Sequence, residues 1–169
     1  GFLLRIKELF VPFIGRHGWN EALYASIIDD CFVFHRQFPS LVQYIRPDFN
    51  LGILFYISMF LSVYFLGNSE WIYRLPSLLA SLINVLLFYL IGKRIFKRKC
   101  LLSLTLALLY AILPITVYYG ARAQAEELMN LPYLVTIFFL TKYILVNRAK
   151  YIYVSSFALG VSCFLVKQT

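Results

Sequence analysis

Four apolar segments of this chain are each long enough, or nearly so, to cross a lipid bilayer. They cover residues 75–96, 101–119, 128–146 and 151–166, and a fifth segment, 51–66, precedes them. A helix rises about 1.5 Å per residue, so about 20 apolar residues cover the hydrocarbon core of a membrane. The pattern predicts an all-α, polytopic transmembrane protein, in which a charged residue within a span is energetically expensive.

The composition of the chain and the placement of its charges also indicate a protein that lies in a lipid bilayer. Charged residues make up 14% of the chain, against about 25% in soluble domains. A water-soluble globule is therefore excluded, and so is nucleic-acid binding, which needs a basic face in water. Cations concentrate in two short connections, as the positive-inside rule requires for loops on the inner side: Lys93, Arg94, Lys97, Arg98 and Lys99, then Arg148 and Lys150.

The cations also predict a topology. Segment 75–96 runs from outside to inside, and the next three segments alternate, so the turn near Arg122 lies outside. Segment 51–66 is short for a span and leaves two alternatives open. If it crosses the membrane, the loop 15–50 lies inside; if it lies in the interface, that loop is external, and the sequence favours the interfacial alternative.

Most acids then collect in two loops on one side of the membrane. Carboxylates from separate loops could act as a base, hold a metal or bind a polar substrate. They could also simply be solvated, and for Asp29, Asp30 and Glu70 we favour solvation.

Arg122 suits a lipid phosphate, but its side chain could equally snorkel from a helix end to the membrane surface. Arg74 begins a span on the outer side, so we expect it to have a partner, and Glu70 is the local candidate.

Five pieces of the sequence, in the same order, resemble membrane glycosyltransferases of the GT-C class. The resemblance is to the group containing dolichyl-phosphate-mannose–protein mannosyltransferases and aminoarabinose transferases. The pieces are HGWNEALYASI (17–27), RPDFNLGILFYIS (46–58), YRLPSLLASLINVLLFYLIGKRIF (73–96), LLYAILPITVYYGARAQAEEL (108–128) and FLVKQ (164–168). No single piece is specific, but the ordered set is.

The resemblance implies site residues. That group carries an Asp-Glu pair early in the first external loop, and the matching positions here are Asn20 and Glu21, so Glu21 is expected to be catalytic, together with Asp48. The resemblance further implies three substrate-binding residues, Arg46, Glu126 and Lys167, the last of which would contact a lipid phosphate. Arg122 is a fourth candidate, because it lies just beyond a span on the same side as Lys167. It also favours an interfacial helix over 51–66.

The implied reaction is transfer of a sugar from a polyprenyl-phosphate-linked donor to a protein, lipid or glycan acceptor at the external face of the cell membrane. A divalent metal is left open. The chain is expected to form a single, incomplete domain, the N-terminal part of a longer protein. Two alternatives stay open: a polytopic transporter, which would place ionisable groups within its spans, and a catalytically inactive membrane partner, because Asn20 replaces an acid.

Overall fold

The computed structural model describes residues 2–12, 16–29, 53–96 and 99–161. All regular structure in these ranges is helical, which confirms the predicted all-α fold. The helices are α1 (Phe2–Leu9), α2 (Arg16–Asp29), α3 (Ile53–Leu66), α4 (Glu70–Ile95), α5 (Cys100–Ile112), α6 (Pro114–Gly120), α7 (Ala125–Val146) and α8 (Lys150–Val161).

Two of the described helices, α4 and α7, are long and apolar enough to cross a membrane. A third span is possible if α5 and α6, which meet at an angle of 63°, are counted together. Many large apolar side chains of α5 and α7 are exposed on the bundle surface, among them Leu101, Leu108 and Ile144. Such a surface suits lipid better than water. The division into spans and an interfacial helix stays a prediction.

The predicted segment 101–119 is broken at Leu113. Pro114 has no N–H and its ring clashes with a continuing helix, so the residue before it adopts an extended conformation. Leu113 accordingly has φ −55° and ψ 126°. The Thr116 hydroxyl donates to the Tyr110 carbonyl oxygen at 2.6 Å, which pairs a carbonyl that the proline left without its helical donor. The bend therefore leaves this backbone group satisfied, as a membrane interior demands.

One end of the bundle carries the hydrophobic core. Buried side chains of α3 pack against α2 and the first turns of α4, and the core includes Ile28, Phe55, Tyr56, Met59, Val63 and Ile72. The 14 residues of α3 therefore have one buried face, while Tyr64 and Phe65 in its last turn are exposed. This packing holds α2 beside the first turns of α4, where Arg74 lies.

Helix α6 crosses α4 so closely that only glycine fits at its end. A methyl group at Gly120 would lie 2.5 Å from the Ser81 hydroxyl oxygen and 3.0 Å from Nε of Arg5. At Gly160, by contrast, an added Cβ would meet nothing within 4 Å.

We expect Gly120→Ala to lower the thermal stability of the full-length protein, because overpacking a tight contact typically costs about 1–3 kcal/mol. Gly160→Ala is the matched control, since the same methyl group enters open space. The melting temperatures of both purified variants in detergent test this. Equal melting temperatures would contradict the close approach of α6 and α4.

Candidate functional site

The Glu21 carboxylate lies at the centre of a buried charge cluster. Nε and Nη2 of Arg74 donate to its two oxygens at 2.9 Å each. Nη1 of Arg122 donates to Oε2 at 3.2 Å, and the backbone N–H of Ala123 donates to Oε1 at 2.6 Å. Glu21 and Arg74 are fully buried. Each carboxylate oxygen therefore accepts two hydrogen bonds, one from Arg74 and one from the segment after α6.

Three parts of the chain supply this cluster. Helix α2 carries Glu21, the first turns of α4 carry Arg74, and the turn 121–124 carries Arg122 and the Ala123 N–H. A hydrogen bond from the Gln124 N–H to the Arg122 carbonyl oxygen, 2.8 Å long, closes that turn. Helix α2 therefore contacts the turn directly, and the two segments lie at the same end of the bundle.

The two arginines are held unequally. Arg74 makes a two-pronged contact with Glu21, and its Nη1 also donates to the carbonyl oxygens of Leu9 and Val11, at and just after the end of α1. Arg122 is joined to Glu21 by a single, longer hydrogen bond, and its guanidinium lies 5.4 Å from the Tyr118 ring centroid. Planar guanidinium groups match carboxylate and phosphate oxygens well. Arg74 therefore holds Glu21 through two hydrogen bonds of 2.9 Å, and Arg122 through a hydrogen bond of 3.2 Å.

Arg74 also begins a row of buried polar residues on one face of α4, spaced by three or four residues. We call Arg74, Ser77, Ser81 and Asn84 the polar face of α4; each is at most 1% exposed. Ser77 donates to the Gln124 carbonyl oxygen at 2.8 Å, and Ser81 accepts from Nε of Arg5 at 2.8 Å. One face of one helix therefore hydrogen-bonds to α1, α2, α7 and the turn 121–124.

A second buried network surrounds Glu127. Its Oε2 accepts from Nδ2 of Asn84 at 3.0 Å and from the Tyr110 hydroxyl at 2.7 Å. Arg5 donates through Nη1 to the Ala111 carbonyl oxygen at 2.9 Å. Sequence reasoning missed these residues as a site. The spacing of Arg74, Ser77, Ser81 and Asn84 was a signal that could have indicated the polar face.

The predicted site residues have three outcomes. Glu21 and Arg122 are brought together, and Glu126 lies half-buried in the first turn of α7 near Tyr24. Burial raises the pKa of the Tyr24 hydroxyl, and the charge of Glu126 raises it further. The other three lie outside the described residues: Arg46, Asp48 and Lys167.

Two expectations about neighbouring charges need correction. The sequence analysis expected Glu70 to pair with Arg74. The carboxylate that accepts two hydrogen bonds from Arg74 is instead that of Glu21, 53 residues earlier in the chain. Asp29 does not act only as a solvated acid, because it accepts hydrogen bonds from the Tyr73 hydroxyl at 2.5 Å and from Nδ2 of Asn68 at 2.8 Å. It therefore joins the end of α2 to the start of α4. Asp30 lies outside the described residues.

The donors around Glu21 suit anions better than a metal ion. Among the described residues, no three His, Cys, Asp or Glu side chains cluster so that they could hold a metal. The Glu21 carboxylate is instead surrounded by guanidinium and backbone N–H groups. These donors repel cations and attract phosphate or carboxylate oxygens.

A helical membrane bundle with a buried charge cluster at one end defines the class of this protein. Residues 48–169 match the family described as dolichyl-phosphate-mannose-protein mannosyltransferase, and because the match covers more than half of the chain, the chain belongs to that family. This confirms the resemblance and makes the protein, by family, a membrane glycosyltransferase whose donors are polyprenyl-phosphate sugars. No curated protein and no solved structure matches the chain. Glu21 precedes the matched segment.

We expect Glu21→Gln to destabilise the protein by about 3–5 kcal/mol, the usual cost of leaving a buried charge without its partner. The amide would place N–H groups against arginine or backbone N–H donors. Asp29→Asn is the matched control: it makes the same chemical change on the same helix, but the partners of Asp29 are neutral, so about 1 kcal/mol is expected. Thermal unfolding of both variants measures the difference, and equal losses would contradict the charge cluster.

Proposed function

We propose that this protein transfers a sugar from a polyprenyl-phosphate donor to a hydroxyl-bearing acceptor at the external face of the cell membrane, as a multi-pass enzyme. The observation that carries the proposal is the arrangement around Glu21: two guanidinium groups meet one carboxylate at the end of the candidate spans. A lipid-linked phosphate, whose tail stays in the bilayer, brings its charge to this level. Family membership supports the donor class.

In this proposal Arg122 binds the donor phosphate. Its hydrogen bond to Glu21 is 3.2 Å long, and in this proposal the guanidinium exchanges that bond for one to the phosphate while Arg74 keeps the carboxylate paired. As the sugar leaves, negative charge develops on the departing phosphate oxygen, and a fixed cation stabilises that charge. Lys167 and Arg46 are proposed as further phosphate contacts, on the strength of the resemblance alone.

The acceptor must also lose a proton. Its oxygen forms a bond to the anomeric carbon, the bond from that carbon to the phosphate oxygen breaks, and the proton passes to a carboxylate, releasing polyprenyl phosphate. A general base must reach the proton it removes, and the four donors around Glu21 occupy both of its oxygens. We therefore assign Glu21 to positioning Arg122 and the turn 121–124, with Asp48 as the proposed base and Glu126 on the acceptor side.

We expect Arg122→Gln to raise the KM for the donor by about 10–100-fold, the usual effect of losing a hydrogen bond to a charged group. Arg148→Gln is the control, since it removes the same charge from an exposed position at the other end of the bundle. The assay follows sugar transfer by the full-length protein in nanodiscs, from a polyprenyl-phosphate sugar to a peptide. An unchanged KM in Arg122→Gln would remove Arg122 from the donor site.

Glu21→Gln separates positioning from base catalysis in the same assay. A positioning role predicts a higher donor KM together with a lower kcat, because Arg122 loses its support. A base would lower kcat and leave the donor KM unchanged.

Movement of intact donor across a membrane without release of polyprenyl phosphate would instead favour the transporter alternative.

The proposed topology predicts opposite labelling of two exposed positions. Ser69→Cys, between α3 and α4 in a cysteine-free background, should react with a membrane-impermeant maleimide on intact cells. Native Cys100, which is exposed at the start of α5, should react after permeabilisation when it is the sole cysteine. Labelling of both from the same side would contradict the assignment of the external face.

A further inference from the structure

The end of the bundle opposite the Glu21 cluster holds two cations against aromatic rings. Helices α4 and α7 end here, and α8 begins here. Nζ of Lys142 lies 5.3, 5.5 and 5.1 Å from the ring centroids of Phe138, Phe139 and Tyr151. The guanidinium of Arg94 lies 4.6 Å from the same Phe138 ring. Two elements therefore bring two positive charges to one ring.

No acid of the described residues forms an ion pair with these two cations. Neither Arg94 nor Lys142 forms an ion pair within the described residues, where the ion pairs of arginine are with Glu21 at the other end. Their distance from each other is at most the sum of their distances to the Phe138 centroid, so the like charges repel. An anion that both groups contact would offset that repulsion and gain hydrogen bonds from each.

The positive-inside rule accounts for cations at this end of the bundle, but not for the partial burial of Arg94 and Lys142. It requires cations in the connections, and Lys99 and Arg148 there are exposed. Arg94 lies instead in the last turn of α4, and Lys142 lies four residues before the end of α7; both side chains are half-buried. Ile95 follows Arg94 directly and Ile144 lies two residues after Lys142, and they are exposed by 54% and 73%. Half-buried charge beside exposed apolar surface matches a phospholipid at the boundary between headgroup and acyl chains.

We propose that Arg94 and Lys142 together bind the phosphate of an anionic phospholipid, whose acyl chains lie along Ile95 and Ile144. The planar guanidinium donates to two phosphate oxygens, and the ammonium, held by three rings, supplies a second charge. Basic pockets between spans are suited to such headgroups. This lipid site is separate from the proposed donor site at the other end of the bundle.

Native mass spectrometry of the full-length protein in a nonionic detergent tests the proposal. With equimolar phosphatidylglycerol and phosphatidylcholine, the protein should retain the anionic lipid preferentially. Each cation near an anionic headgroup contributes a factor of about five in affinity, so Arg94→Gln/Lys142→Gln should lower phosphatidylglycerol binding by about 30-fold. Lys99→Gln/Arg148→Gln removes one lysine and one arginine from exposed positions at the same end, and should change it much less.

Additional variants in the same experiment identify the source of the phosphate and control for misfolding. The charge-conserving swap Arg94→Lys/Lys142→Arg should retain the lipid preference. If the double glutamine variant fails to fold, Lys142→Gln alone should show the fivefold loss. Three results would overturn the proposal: no preference for the anionic lipid, equal losses in the double variant and its control, or displacement of the lipid by inorganic phosphate, which would identify a soluble anion as the ligand.

Discussion

A carboxylate that has no access to water must obtain all its hydrogen-bond donors from the protein. Glu21 obtains four, from α4 and from the turn after α6. Burying a charge costs several kcal/mol unless its pairing is nearly complete, so the position of α2 cannot vary without losing that pairing. The charge cluster thereby determines where three separate segments meet, and the surface that they form is the one to which we assign donor binding.

The polar face of α4 extends the same principle along the helix. Where water is absent, a polar side chain on a span bonds to a neighbouring segment or stays unpaired at a cost. Together, Arg74, Ser77, Ser81 and Asn84 bond to α1, α2, α7 and the turn 121–124. Arginine suits the first position because its five donors can serve a carboxylate and two carbonyls together, which the three donors of a lysine ammonium would do less well. Specific packing in this bundle therefore comes from polar contacts, since apolar contacts with lipid and with other helices differ little.

The sequence predicted those properties that depend on composition and spacing. Apolar segments of the required length indicated helices in lipid, the resemblance named Glu21 as a site residue, and the position of Arg122 at a span end made it a candidate. Partners were harder to predict. The residues that bond to Glu21 lie 53 to 102 residues later, and nothing in a single sequence encodes which distant cation a buried acid meets. For Arg74 the nearest acid was chosen, although a buried arginine is fixed by tertiary packing. The break at Leu113 was predictable in principle from Pro114, yet continuous apolar composition concealed it.

The order of the residues along the chain has a consequence for biosynthesis. The N-terminal part of a protein emerges first from the ribosome, so α2 is made before any of the four donors to Glu21 exists. Its carboxylate must stay hydrated until α4 has inserted and the turn at Ala123 has followed. If α4 to α6 inserted in the reverse orientation, Arg74 and Arg122 would face the opposite side of the membrane from Glu21, and α2 could not dock. Burial of one glutamate thus makes completion of the fold conditional on correct sidedness of the spans.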